Sequence, residues 1–143
     1  MRRIVVVLTL FLAMLGCASE KKNAIEGTWR VVAGTMKTAD TTISYSQMNL
    51  FGMKMIVGNQ WAIFGQPLGG GDTSAYYGGG TYTLEGNIYQ ESIKYNVVKS
   101  RVGRTIAFEV EVNNDTLIQK GPPQAAQNAT SNWALYEVWV RVK

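Results

Sequence analysis

The sequence predicts an all-β protein built as a single antiparallel, up-and-down β-barrel of eight strands. From Gly27 onward, apolar and polar residues alternate with a period of two, and β-branched and aromatic residues are frequent. Turn signals separate these runs, at 57–60, at 85–87 and at 113–115. Eight half-buried strands that close on themselves bury one face and leave no exposed edge, which favours a barrel over an open sheet.

The predicted strands follow the alternation along the chain. They are expected at residues 27–34, 53–57, 60–65, 80–85, 87–97, 104–112, 115–120 and 133–142. In two of them the inward set is clear, because one parity is mostly apolar. These inward residues are Tyr89, Glu91, Ile93, Tyr95 and Val97, followed by Ile106, Phe108, Val110 and Val112.

Three longer connections interrupt this pattern. Residues 35–50 are weakly patterned, with a short helix expected near 45–50, while 66–80 and 121–132 read as long loops. The glycine runs at 69–71 and 78–80 lack the Lys-Ser/Thr ending of a phosphate-binding loop, so they too are interpreted as loop. Long loops at one end of a barrel are candidates for its entrance.

The first sixteen residues have the pattern of an export signal. Arg2 and Arg3 precede an apolar run at 4–15 that is too short for a comfortable membrane span. The run ends in Leu15-Gly16-Cys17, which resembles a bacterial lipobox and makes Cys17 the expected site of lipid attachment. The alternative is an ordinary signal peptide with a cysteine there by chance.

Processing at Cys17 divides the chain into a signal peptide at 1–16, a lipidated flexible linker at 17–24 and a barrel domain at 25–143. The expected location is the bacterial cell envelope, with the protein anchored to the membrane by the lipid on Cys17. Ala18 in place of Asp resembles an outer-membrane address, and the leaflet stays open. The remaining 127 residues suit one domain.

The charge pattern gives no support to nucleic-acid binding. Without Arg2 and Arg3 the chain has 12 basic residues against 10 acidic ones, and they are interspersed. A basic stripe with interleaved aromatic residues, as in proteins that follow a phosphate backbone, is not apparent. We therefore expect no nucleic-acid partner.

Several segments together resemble one family. A Gly-x-Trp motif at Gly27 and Trp29, followed by the segments 79–91, 115–121 and 136–143, is similar to the bacterial lipocalin-like domain of small lipoproteins, within the calycin superfamily. The resemblance implies a lipocalin-like barrel. It also implies that Arg141, late in the chain, covers Trp29, so that Gly27, Trp29 and Arg141 close the base of the barrel.

The residue inventory disfavours catalysis. The chain has no histidine, and its single cysteine is assigned to the lipid, which removes the commonest general base, the commonest metal ligand and the thiol nucleophile. We therefore expect no enzymatic activity, no metal site and no cofactor. The missing histidine also excludes the usual axial ligand of haem-binding barrels. A minor alternative makes Glu91 and Glu137 an acid/base pair acting on a glycan.

Glu91 stands out because it lies on a face expected to be buried, where a carboxylate needs a partner or a proton. Arg141 is the nominated partner, together with Glu137 and Trp139 on the same face of the last strand. The opposite face of that strand is more apolar, so its inward set stays open. Arg141 has two competing roles, as a ligand contact or as the cover of Trp29.

The favoured function is the binding of a small apolar or amphipathic molecule, such as a fatty acid, inside the barrel. The candidate ligand-binding residues are Glu91, Arg141, Glu137, Trp139, Tyr89, Tyr95 and Tyr82. The tyrosines are also natural core residues. The alternative is a filled barrel that acts through protein–protein contacts with an envelope partner, using its outer surface or loops such as Tyr76-Tyr77.

Overall fold

A computed structural model describes residues 23–45, 50–67, 75–122 and 133–143. These residues form nine β-strands and one short 3-10 turn, Lys99–Arg101. The strands are β1 (Gly27–Lys37), β2 (Thr42–Ser44), β3 (Leu50–Val57), β4 (Gln60–Pro67), β5 (Tyr76–Glu85), β6 (Ile88–Asn96), β7 (Thr105–Asn113), β8 (Thr116–Gly121) and β9 (Ala134–Arg141).

The strands close into a barrel. Each strand from β3 to β8 pairs antiparallel with the strand that follows it in the chain. Strand β1 pairs with both β3 and β9, which closes the ring. The short β2 pairs only with the end of β1, at Thr35–Lys37, and lies outside the ring. The eight remaining strands form the closed antiparallel barrel, so the predicted fold class is confirmed.

The two ends of the barrel differ. Three tight hairpins, with positive φ at Gly58 (59°), Gly86 (61°) and Asn114 (52°), lie at the end where β1 begins and β9 finishes. We call this the turn end. The longer connections, between β1 and β3, β4 and β5, β6 and β7, and β8 and β9, all lie at the opposite end, which we call the loop end.

Strand β5 begins earlier than the sequence predicts. Residues 76–80, expected as loop, are strand and pair with β4 on one side and β6 on the other. The glycine run at 78–80 is therefore part of the barrel wall, and all three glycines are buried. The short β2 was not predicted, and most of the helix expected near 45–50 lies outside the described residues.

Tyr95 corrects the predicted inward set. It is 50% exposed, because the pairing of β5 with β6 shifts between Gly79 and Gly80. Gly79 pairs with Tyr95 and Gly80 pairs with Ile93, so Lys94 is the extra residue of a bulge and the alternation reverses after it. Tyr95 therefore lies on the outer surface, where its hydroxyl contacts Gly79, and Val97 is exposed too.

Among the described residues, no helix is long and apolar enough to cross a membrane.

Candidate functional site

The turn end of the barrel is closed by a stacked pair. Trp29 is fully buried, and its indole nitrogen donates a hydrogen bond of 2.8 Å to the carbonyl of Ile25. The guanidinium carbon of Arg141 lies 4.1 Å from the centre of the Trp29 ring. Cation–π contact and the apolar stem of the arginine together cover the tryptophan.

Arg141 also fastens the chain segment that enters the barrel. Its guanidinium donates to the carbonyls of Glu26, at 2.6 Å, and Ala24, at 3.0 Å. Gly27 has φ of 143°, and a Cβ there would collide with the guanidinium. Asn23 and Ala24, assigned to the linker from sequence, form a turn with this segment. Arg141 therefore lies at the base of the barrel and not in its interior. This position agrees with its predicted role as the cover of Trp29 and not with a ligand contact.

Lys54 occupies the middle of the interior, a position that was not predicted from the sequence. It is 2% exposed, and its Nζ lies 3.0 Å from Glu91 Oε1 and 2.7 Å from Gln119 Oε1. The partner of Glu91 is thus Lys54, and the nomination of Arg141 was wrong. In the strand predicted at 53–57, Lys54 shares its parity only with the apolar Ile56, and its inward direction becomes clear from its pairing with the buried Trp29 on β1.

Four aromatic rings surround the ammonium of Lys54. Their centroids lie between 5.3 and 5.9 Å from Nζ, which is the range of a cation–π contact. The rings belong to Trp61, Tyr89, Phe108 and Trp139. The ion pair, the amide oxygen and the rings together compensate for the cost of removing the ammonium from water.

Glu137 lies further toward the loop end and is also buried. Tyr45 donates its hydroxyl to Oε1 at 2.7 Å, and the indole nitrogen of Trp139 donates to Oε2 at 3.2 Å. Burial raises the pKa of Glu137, although the charge of Lys54 opposes this shift. Burial and the charge of Glu137 raise the pKa of Tyr76 to about 12 and also raise that of Tyr45.

The two faces of β9 are now assigned: Glu137 and Trp139 point inward, whereas Tyr136 is exposed. Two buried carboxylates, on Glu91 and Glu137, face one buried ammonium, on Lys54. The described interior therefore has one surplus carboxylate, and Glu137 is that group because Lys54 is bonded to Glu91.

The half of the interior near the turn end is filled. Tyr82 donates to the carbonyl of Gly58 at 2.8 Å, and its ring lies 5.2 Å from that of Tyr89. The Tyr89 hydroxyl is buried and makes no hydrogen bond within the described part of the chain. The space beside it admits no water molecule. It is lined by Ile25, Ile56, Tyr89, Val110, Leu117 and Gln119.

The half near the loop end has a different wall. Gly34, Gly52 and Gly65 are buried, and tyrosine rings take the place of their side chains. A Cβ on Gly34 would lie 2.6 Å from the Tyr45 ring, and one on Gly52 would lie 2.5 Å from the Tyr76 hydroxyl. We call this region, where the Tyr45 and Tyr76 rings lie against the three glycines beside Glu137, the glycine chamber. Gly34 lies directly opposite Glu137 in the pairing of β1 with β9.

No family model and no curated protein matches this chain. Among solved structures, the chain is similar to a lipocalin-like protein from Bacteroides uniformis ATCC 8492, with 12% sequence identity and a TM-score of 0.49. The match covers 84% of this chain and 100% of that one. The barrel assignment rests on the strand pairing described above.

Proposed function

We propose that this chain is a lipid-anchored envelope protein that binds one small, planar, amphipathic molecule in the glycine chamber. The observation that carries the proposal is the buried Glu137 carboxylate, which accepts a hydrogen bond from the Tyr45 hydroxyl beside a wall without side chains. A phenol ring already occupies that wall. A ligand ring of similar thickness that bears a hydroxyl or amino group would displace the Tyr45 ring and make the same contacts with Gly34 and Glu137.

The charge of the interior narrows the ligand class. Lys54 is committed to Glu91 and Gln119, so the group left to meet a ligand is the carboxylate of Glu137. A carboxylate favours hydrogen-bond donors and cations, and it repels another carboxylate. The proposal therefore departs from the fatty acid considered from sequence and favours neutral or cationic head groups.

The membrane part of the proposal rests on the sequence. Lipid on Cys17 would hold the barrel at an envelope membrane, with the outer membrane preferred, and the polar segment after it would act as the leash. The proposal includes no catalytic step, metal, cofactor or nucleic acid. In this proposal Glu91 belongs to a structural ion pair, and Glu137 accepts a hydrogen bond from the ligand. These roles replace the acid/base pair considered from the sequence.

Tryptophan fluorescence tests the ligand, because Trp139 donates to Glu137 and should respond when a ligand takes that carboxylate. The chain from Cys17 with Cys17→Ser is titrated with phenols, aromatic amines and fatty acids of matched size. We expect a saturable change in fluorescence with phenols or aromatic amines. Glu137→Gln should lower the affinity for these compounds at least tenfold. Glu111→Gln, an exposed residue of β7, is the control. Absence of any saturable change would reject the proposal.

The second candidate, an envelope protein that acts through a protein partner, is favoured by the filled turn-end half. It would require no ligand in the glycine chamber. In-cell cross-linking from Tyr77, which is exposed, discriminates the two. A specific cross-linked protein, together with an empty chamber, would favour this candidate.

A further inference from the structure

A face of the outer surface of the barrel is apolar. The outward residues of a solvent-exposed strand are expected to be polar. On β3 the outward residues are all apolar: Phe51, Met53, Met55 and Val57. The last of these is 68% exposed. On β7, by contrast, the outward positions include Glu109 and Glu111.

This apolar surface continues across neighbouring strands. Met53 pairs with Phe64 on β4, and Phe64 pairs with Tyr77 on β5. The rings of Phe51 and Phe64 lie 6.5 Å apart. Tyr95, turned outward by the bulge, extends the surface onto β6. We call these residues the outer apolar face: Phe51, Met53, Met55, Val57, Phe64, Tyr77 and Tyr95.

The face runs into a basic turn at 97–104 at the loop end. Val97 donates its backbone N–H to the carbonyl of Tyr77, which joins the turn to the face. Three valines of the turn are more than 40% exposed, and residues 92–104 contain no acidic side chain. The exposed basic residues are Lys94, Lys99, Arg101 and Arg104.

The tether reaches the barrel at the turn end, where Ala24 contacts Arg141 of β9 and where Val57 of the outer apolar face also lies. Gly27, at the start of β1, pairs with Ile56, next to Val57. Five residues lie between Cys17 and Asn23, where the described structure begins, and the six Cα–Cα steps span at most about 22 Å when extended. An eight-residue strand such as β3 is about 26 Å long. A tether of this length holds the turn end of the barrel, and with it Val57 of the outer apolar face, close to the lipid.

We propose that the outer apolar face and the basic turn dock onto the surface of an anionic lipid bilayer. Apolar side chains would enter the interface, tyrosines would lie at the head groups, and lysine and arginine would contact anionic lipids. The proposal depends on the membrane part of the proposed function, since the tether selects the lipid over other occupants. It does not depend on a ligand in the glycine chamber.

Vesicle co-sedimentation tests the docking without the lipid anchor. The chain from Cys17 with Cys17→Ser keeps every described residue. It is mixed with vesicles of phosphatidylethanolamine and phosphatidylglycerol at 3:1, or of phosphatidylcholine alone. Binding to the anionic vesicles and little to the neutral ones is expected, weakening as salt increases.

Two matched pairs of variants locate the contact. Lys94→Glu with Lys99→Glu should weaken binding at least about 20-fold, because each basic residue near the surface contributes about fivefold. Lys37→Glu with Lys120→Glu, the same charge change elsewhere, should have a much smaller effect. Phe64→Ser should weaken binding about fivefold by loss of apolar burial. Tyr136→Ser is its control, since both aromatic residues are 41% exposed.

The outcomes separate the hypotheses. The docking proposal would be overturned if the test and control variants lost the same affinity for vesicles. It would also be overturned if the parent chain bound no vesicles. A concentration-dependent dimer that Phe64→Ser abolishes, without vesicle binding, would assign the face to a second copy of the chain. Metabolic labelling with palmitate in cells reports on Cys17 independently, so failure of the anchor is distinguishable from failure of the docking. Titration of the glycine chamber with ligands is also independent of the vesicle assay, so failure of ligand binding is distinguishable from failure of the docking.

Discussion

The ammonium of Lys54 and the carboxylate of Glu91 are paired 3.0 Å apart in the middle of the barrel, each almost entirely removed from solvent. Lys54 lies on β3 and Glu91 on β6, which are separated by two strands in the sheet, so the pair crosses the interior. A buried pair of this kind is costly to break, because a single partner left behind has no compensating charge. The pair therefore ties the register of the two strands to the stability of the barrel.

Loss of one partner should be worse than loss of both. We expect Lys54→Met to reduce the free energy of unfolding by about 3–5 kcal/mol, since Glu91 is then buried without a cation. The double variant Lys54→Met with Glu91→Leu should recover much of that loss. Urea denaturation of the two variants and the parent at pH 7 measures the difference. A single variant as stable as the double one would show that the pair is not an essential contact.

The base of the barrel should depend on Arg141. Arg141→Ala removes the stack on Trp29 and the hydrogen bonds to two backbone carbonyls, and we expect a loss of about 2–3 kcal/mol. Arg30→Ala, at an exposed position of β1, should cost less than about 0.5 kcal/mol. Thermal unfolding followed by tryptophan fluorescence compares them. Equal effects at the two positions would contradict the closing role of Arg141.

Stability should fall as the pH rises through the titration of Glu137. Burial raises the pKa of this carboxyl in the folded chain above its ordinary value of 4.5, so the folded state holds the proton more tightly than the unfolded state. The stabilisation is complete below about pH 4.5 and is lost as the pH climbs through the folded pKa. Glu137→Gln should flatten this part of the profile. Urea midpoints between pH 4.5 and 9 measure it, and an unchanged slope in the variant would reject the assignment.

The hydroxyl of Tyr45 should stabilise the chain through its hydrogen bond to Glu137. We expect Tyr45→Phe to cost about 1–3 kcal/mol at pH 7, because one oxygen of a buried carboxylate loses its donor. In a Glu137→Gln background the same change should cost less, because the acceptor is then neutral. A double-mutant cycle of unfolding free energies gives the coupling. Additive effects would mean that the 2.7 Å hydrogen bond contributes little.

Periodicity was sufficient to predict the barrel, because the alternation of Ile106, Phe108 and Val110 reports directly on one buried face. It failed at Tyr95, because the bulge at Lys94, beside the close approach of Gly80 to the Ser92 backbone, reverses the alternation within β6. The closure at Trp29 and Arg141 followed from family resemblance and is present in the structure.

The interior charges were only partly predictable. Glu91 was predicted to point inward, whereas the direction of Glu137 stayed open; both carboxylates are buried. Lys54 was missed because lysine between Met53 and Met55 reads as the polar, outward member of its strand. Only the pairing across β1 and β3 reveals that the methionines face outward and the lysine faces inward. The glycine chamber was equally hidden, because it depends on tyrosines from distant parts of the chain.

Native mass spectrometry of the full-length protein, purified from cells in mild detergent, is the most direct test of a ligand in the glycine chamber. The native mass is compared with the mass after denaturation, which keeps covalent lipid and releases a bound molecule. We expect a difference of one small aromatic or amine-bearing compound per chain, reduced in Glu137→Gln and unchanged in Glu111→Gln. Equal native and denatured masses, in a chain that also binds nothing from the ligand panel, would contradict it.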